Sequence, residues 1–465
     1  MTTALQERVG ARSRTWLLAT LSLCTFAALT VVQIVACWRY PSDYDEGVYL
    51  QTLRAVADGF EPYRDVFLAQ PPVFIDLALP FGAGIVAARL TVVAFWAAAI
   101  IGIYVVGSLH SKKSVGLLAA ALLALDPLFL NAGRTLQAEV PALALAIWSI
   151  AAGLYAVRHS RPATRLTTAA LCGTLFALAV ATKFIAAPAL VPLIVIAVRN
   201  RPIDRRVVLS ALAGAVATTA LVLGRFADSL AAFYDQTVRF HQQAQAGFGG
   251  NHTARLDMWL TALHDPLISA GVIGFVIAAA LSWRSNMLPL SWFGATAAAL
   301  LVLAPLWEHH FAALAPAASL LLATLIASAA RWSKQCAVIA VAVMTVAAGS
   351  ASVTAFHSDD PYPRWAMTEL ERVTASERYI VTDDQFLASK LGLRVPPELV
   401  DTSLVRIETG YLTLEQVTGA MTRHKAQIVI LTRGRLRLVP GFVGWIKASC
   451  TPVSGLLVAR VFSCR

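Results

Sequence analysis

Three carboxylates fall within four residues, in the run Asp43-Tyr44-Asp45-Glu46-Gly47-Val48-Tyr49. Carboxylates this close repel one another, so at least one holds its proton more tightly than an isolated side chain. Such a group suits a general base or a cation site, because perturbed titration gathers where chemistry is done. The same residues also fit a solvated helix start, with Ser42 or Asp43 capping a helix from Tyr44. Three further clusters carry chemistry. Asn131-Ala132-Gly133-Arg134 precedes Glu139, Thr182-Lys183 interrupts an apolar stretch, and Trp307-Glu308-His309-His310 precedes another. Adjacent histidines can ligate a metal, contact a phosphate or sit at an interface. A metal needs three or four protein ligands, and no His or Cys spacing supplies them. An anion contact is therefore the better reading, with no metal and no cofactor expected. Carboxylates, Arg, Lys and His together suit a reaction in which a hydroxyl attacks and a negatively charged group leaves.

The elements that must position these groups are membrane helices. Hydrophobic residues make up 57% of the 465 and charged residues 14%, against roughly 45–50% and 25% in soluble domains. Polar side chains are too few to coat so much core, and the excess apolar surface faces the lipid bilayer. Apolar runs recur without heptads or low complexity, which excludes coiled coil, collagen and disorder. Spans of about 17–25 apolar residues read at 16–38, 78–109, 115–131, 140–157, 166–181, 184–198, 207–224, 267–283, 287–304, 309–329 and 337–355. The chain is thus an α-helical polytopic membrane protein of roughly eleven transmembrane helices.

The net charge of +11 lies in short clusters between spans. No stripe of basic residues interleaved with aromatics appears, so nucleic acid is excluded as a partner. One set of turns carries Arg8, Arg12 and Arg14, then Lys112 and Lys113, Arg158 to Arg165, Arg199 to Arg206, Arg284, and Arg331 with Lys334. The other set is acidic, from Asp43 to Asp65 and at Glu139, Asp228, Asp235, Asp257 and Glu308. Positive charge stays cytoplasmic, which puts the N-terminus inside and the acidic turns outside. The first apolar run continues to Trp38 without a small-residue cleavage site, so it reads as an uncleaved helix. A lysine in mid-membrane is costly, and Lys183 accordingly reads as a tight external turn. All four clusters then share one face, at the ends of different helices.

Residues 1–355 read as the transmembrane domain, with external loops at 39–77, holding Tyr40-Pro41 and Gln70-Pro71-Pro72, and at 225–266. Within the second loop, 240–253 holds five Gly and Ala; it is expected to be poorly ordered and to close over a bound ligand. Residues 356–465 read as a small extracytoplasmic α/β domain. There, β-type runs at Tyr379–Thr382, Gln427–Leu431 and Leu456–Phe462 alternate with helical patterns near 363–376, 384–391 and 414–425. Cys450 and Cys464 both fall in this oxidising compartment and are expected to pair. Cys24, Cys37, Cys172 and Cys336 lie in or beside spans as small apolar residues.

Asp45-Glu46-Gly47-Val48-Tyr49 followed by Gln70-Pro71-Pro72 resembles the first-loop signature of GT-C glycosyltransferases. The resemblance is nearest to the group containing protein O-mannosyltransferases and bacterial lipid A aminoarabinose transferases. Arg134 with Glu139, Thr182-Lys183, and His309-His310 before Pro316 follow in the order this group shows. The resemblance implies inverting transfer of a sugar from a polyprenyl-phosphate donor to a glycan, lipid or protein acceptor, outside the bacterial plasma membrane and without an obligatory divalent cation. Under it, Asp45 is the catalytic base, Glu46 its neighbour and Glu139 the second acid. Lys183, Arg134, Arg64, His309 and His310 meet the donor phosphate, and Tyr49, Gln70 and His241 meet substrate. Gln70 departs from the pattern, since aminoarabinose transferases often carry Lys before the Pro-Pro pair. A transporter or flippase of lipid-linked sugars and an envelope scaffold are the alternative readings. A transporter built of repeats binds near the bilayer midplane; here no repeat is evident and the polar groups collect at one face.

Overall fold

The computed structural model describes residues 24–39, 43–199, 203–329, 333–357, 362–454 and 459–464. Arg8, Arg12 and Arg14, the start of the first span, Tyr40-Pro41, Arg201 and Arg331 lie outside these residues.

Among the described residues, six helices are long and apolar enough to cross a membrane: Ile85–His110, Glu139–Arg158, Pro162–Thr182, Arg205–Gly224, Glu308–Ser328 and Ser333–Thr354. A pair bent by 98°, His252–Ala262 with Pro266–Leu281, makes a seventh if taken as one span. The remaining expected spans fall on shorter apolar helices, Cys24–Arg39, Lys113–Ala124, Phe184–Arg199 and Met287–Val302. Of the roughly eleven transmembrane helices expected, six or seven among the described residues meet the length and hydropathy of a span, and the others are shorter. Polar residues and prolines shorten the helices: Asp126-Pro127 stops one, and Lys183 with Pro188 reduces the start of another to a 3-10 turn.

Helices meet closely where both carry small residues, which is how packing is gained inside a bilayer. A Cβ on Gly173 would lie 1.8 Å from the Ala211 carbonyl oxygen, and one on Gly214 would lie 2.1 Å from that of Ala170. These two glycines let Pro162–Thr182 and Arg205–Gly224 touch backbone to backbone.

The first-loop motif forms a helix, Tyr44–Ala57, that is not a span. Asp43 is its cap, accepting from the Glu46 N–H at 3.2 Å. Successive helical residues point about 100° apart, so the motif is divided among three neighbours. Asp45 faces an open cavity. Glu46 is fully buried and accepts two hydrogen bonds from Arg89 of the Ile85–His110 span, both at 2.6 Å. Gly47 abuts the backbone of Phe386, where a Cβ would lie 2.3 Å from its nitrogen.

Phe386 belongs to the C-terminal segment, whose own apolar core is built around a four-stranded sheet of order β1-β2-β4-β3. β1 (Ile380–Thr382) runs parallel to β2 (Ile428–Leu431), while β4 (Arg460–Cys464) is antiparallel to both β2 and β3 (Cys450–Ser454). The sequence showed no strand at 450–454; Pro452 is accommodated because β3 is an edge strand. Cys450 and Cys464 are cross-strand partners and form a disulfide. This unit docks on the Tyr44–Ala57 helix through Gln51, which donates to Ser389 Oγ at 3.0 Å, and Arg54, which donates to the carbonyls of Ser389 and Leu393 at 3.1 Å.

Residues 240–253, expected to be poorly ordered, are largely helical. Phe240–Phe248 is a helix with Phe240 and Ala244 buried one turn apart. Gln245 anchors it, donating to the Val302 carbonyl and accepting from the Ala304 N–H, both at 2.7 Å.

Removing one partner of a buried ion pair leaves an uncompensated charge, at a cost of about 3–5 kcal/mol. Arg89→Leu is therefore expected to lower the thermal midpoint of the detergent-solubilised protein sharply. Glu46→Leu combined with Arg89→Leu should lose less than either single change. Additive losses would show that the two side chains do not act as a pair.

Candidate active site

A cavity of about 580 Å³ opens where several of these elements converge, within the usual range for small-molecule sites. The Tyr44–Ala57 helix contributes Asp45 and Tyr49, the first loop Gln70, and the break after Thr182 contributes Lys183. His241 comes from the Phe240–Phe248 helix, and His309 and His310 from the 3-10 turn Glu308–Leu314. The motif clusters, far apart in sequence, are thus brought together at one end of the bundle.

At its polar end, Glu139 is fully buried at the start of its span, and Lys183 donates to its Oε1. His309 Nε2 lies 3.4 Å from the same oxygen and 3.7 Å from Asp45 Oδ2, so it stands between the two carboxylates. Asp45 keeps 43% of its side-chain surface, yet it sits within a concave wall where surrounding protein limits hydration. That burial, together with the charge of Asp43, raises its pKa to about 6 against the pull of His309 and Lys183. Burial pushes the His241 ring down, keeping it neutral at pH 7. The other side of the cavity is apolar, lined by Phe184, Ile185, Pro188, Leu300 and Leu303. Next to it, Leu301 and Val302 are exposed on the outside of the bundle.

Three expected site residues lie elsewhere. Glu46 does not line the cavity; it is sealed by Arg89 and also accepts from the Leu136 N–H at 3.0 Å. The carboxylates that raise Asp45 are Asp43 and, less strongly, Glu139. Arg134 is buried between spans, donating to Gln33 and, at 2.7 Å, to Ser352 Oγ. Arg64 is exposed and pairs with Glu61 at 2.8 Å. Conversely, no spacing or motif pointed to Arg435, Asp401 and Ser403, which the C-terminal unit contributes to the cavity. The Arg435 guanidinium lies 3.6 Å from the centroid of the Tyr44 ring, and its Nη1 is buried without a hydrogen-bond partner among the described residues. Arg89 was not singled out from sequence, although a lone arginine in an apolar run is a signal for a buried partner.

Glu139, His309 and His310 also place three ligand atoms within 4.8 Å of one another, a set that spacing alone did not reveal. Lys183 donates to Glu139 Oε1, while Oε2 is buried without a hydrogen-bond partner among the described residues, and His310 Nδ1 accepts the Trp307 N–H at 3.2 Å. A cation entering there would lie against the charge of the Lys183 ammonium.

Residues 72–224 match the family described as dolichyl-phosphate-mannose-protein mannosyltransferase. Comparison with curated proteins finds no match. The structure of ArnT from Cupriavidus metallidurans bound to undecaprenyl phosphate is similar, with TM-score 0.66 and 14% identity over 96% of this chain and 98% of that one. The oligosaccharyltransferase AglB of Archaeoglobus fulgidus, in complex with an inhibitory peptide and a dolichol-phosphate, has TM-score 0.53 and 13% identity, covering 97% and 75%. Another structure of the A. fulgidus oligosaccharyltransferase, in complex with Zn and sulfate, has TM-score 0.52 and 13% identity, covering 92% and 71%. The chain shares the fold of the ArnT and oligosaccharyltransferase structures.

Glu139 has no access to water, so its charge depends on Lys183. Lys183→Met is expected to destabilise the protein by about 3–5 kcal/mol, whereas Asp45→Asn, which removes a charge from a crowded acidic wall, leaves stability unchanged or higher. Thermal unfolding of both variants checks this; equal destabilisation would contradict the division between a buried pair and a cavity-facing acid.

Proposed function

We propose that this chain transfers a sugar from a polyprenyl-phosphate donor to an acceptor hydroxyl, with inversion, at the extracytoplasmic face of a bacterial plasma membrane. One observation carries the reading: the cavity combines an apolar wall open toward lipid with a polar end where Asp45 faces Lys183 and His309. An amphiphile with an isoprenoid tail, a phosphate and a sugar fits that gradient. The ligands named for the ArnT and AglB structures, undecaprenyl phosphate and a dolichol-phosphate, are of this class.

In the proposed reaction, the acceptor oxygen attacks the anomeric carbon while Asp45 takes the hydroxyl proton. The bond between that carbon and the phosphate oxygen breaks, and polyprenyl phosphate leaves with the electron pair. A phosphate needs no acid, only fixed positive charge, which Lys183 and Arg435 supply, with His309 placed to donate a hydrogen bond. Glu139 acts as a positioning residue that holds Lys183 and His309. His310, Tyr49, Gln70 and His241 contact the sugar or the acceptor. No metal is required in this reading, because the Lys183 ammonium stands where a metal's charge would act. The C-terminal domain, residues 356–465, closes the cavity from the aqueous side.

The test incubates purified protein with radiolabelled polyprenyl-phosphate sugars and envelope extract. Donor-dependent product is expected, insensitive to chelator, with kcat/KM rising through pH about 6 as Asp45 loses its proton. Asp45→Asn should lose about 10²–10⁴ in rate while retaining donor binding. Counterflow of intact donor across vesicles without product would favour a transporter. An Asp45→Asn enzyme with more than half of wild-type turnover would remove Asp45 from its role.

A further inference from the structure

We infer that a second cavity, at the opposite end of the bundle, binds a phosphate-bearing anion. It measures about 530 Å³ and is lined by His110, Lys112, Arg158, Arg199, Ser285 and Asn286, among others. The Glu139–Arg158 helix begins at the active-site cavity and ends here. Twenty residues at 1.5 Å each separate the two sites by about the thickness of a hydrocarbon core, which places this cavity at the other membrane surface.

Its charge is one-sided. No Asp or Glu lines it, and Lys112, Arg158 and Arg199 make no ion pair or side-chain hydrogen bond among the described residues. Asp204, an acid at that end of the bundle, is held by Arg165 at 2.8 Å, outside the cavity. Arginines at helix C-termini often do no more than offset the helix dipole, and Arg158 and Arg199 do end helices. One further feature points to a ligand. The Lys113–Ala124 and Met287–Val302 helices both start at this cavity, and neither cap residue, Lys112 or Asn286, provides a side-chain hydrogen bond to the free N–H groups; the Asn286 amide donates instead to Ser282 and Ser285. Uncapped helix N-termini with unpaired guanidinium groups around one hollow form an anion site, and arginine forks suit phosphate oxygens. The chemistry is shared by an anionic phospholipid headgroup at the membrane surface and by free phosphate.

Two arms separate these sources, using the full-length purified protein. Native mass spectrometry counts phosphatidylglycerol retained against phosphatidylcholine after release from mixed micelles, and a thermal-shift titration uses inorganic phosphate. Wild type should retain phosphatidylglycerol preferentially, and Arg158→Gln with Arg199→Gln should weaken retention about fivefold for each arginine removed. A phosphate response lost in the same variant, without lipid preference, assigns the site to free phosphate. Arg284→Gln, a basic residue outside the cavity lining, controls for general surface charge. Lys112→Ala, in an exposed turn, repeats the test if the double variant does not express. Wild-type behaviour of the cavity variants in both arms, or an equal loss in Arg284→Gln, overturns the inference.

Discussion

The buried pair of Glu46 and Arg89 organises this molecule. Its two 2.6 Å hydrogen bonds fix the Tyr44–Ala57 helix against a membrane span. Arg89 also donates to the Cys37 carbonyl at 3.0 Å at the end of the first helix, and Glu46 accepts from Leu136 beside Glu139. Four segments are thereby held to one point. Because Glu46 turns inward, its neighbour Asp45 must turn toward the cavity, and Gly47 must meet Phe386. A pair this buried adds little net stability over apolar residues, but it is strongly orienting once formed.

The same economy of charge governs the cavity. Glu139 needs compensation in a place water does not reach, and Lys183 and His309 provide it. The ammonium and the imidazole are then held beside Asp45, whose own pKa is lifted by burial and by Asp43. A base with a pKa near neutrality and preorganised positive charge a few ångströms away together suit proton removal from a hydroxyl and departure of an anion. The apolar flank lets a lipid chain approach from the bilayer while polar groups approach from water.

Much of this was legible in the chain. The apolar runs marked the membrane helices, and three of the four clusters supplied the polar end of the cavity, because a residue at a helix end stays at that end in any packing. What could not be read was direction. Asp43, Asp45 and Glu46 look alike in sequence, and only the angular offset of a helix assigns cap, cavity and core. Arg134 resembled a phosphate ligand, but its partners Gln33 and Ser352 come from helices 101 and 218 residues away. Arg435 and Asp401 reach the cavity only because a separate sheet-based unit docks on Gly47, a tertiary fact with no local signature. Span lengths failed where single polar residues and prolines cut helices that hydropathy alone ran together.

The central claim is that the lipid-linked donor lies with its phosphate between Lys183 and His309 and its sugar toward Asp45. A cryo-EM map of the Asp45→Asn protein with a polyprenyl-phosphate sugar tests it most directly. The account predicts phosphate density within hydrogen-bond reach of Lys183 or His309, with the isoprenoid chain running along Phe184, Ile185 and Leu300. Phosphate density beside Arg134 or Arg64, or donor bound only at the opposite membrane face, would contradict it.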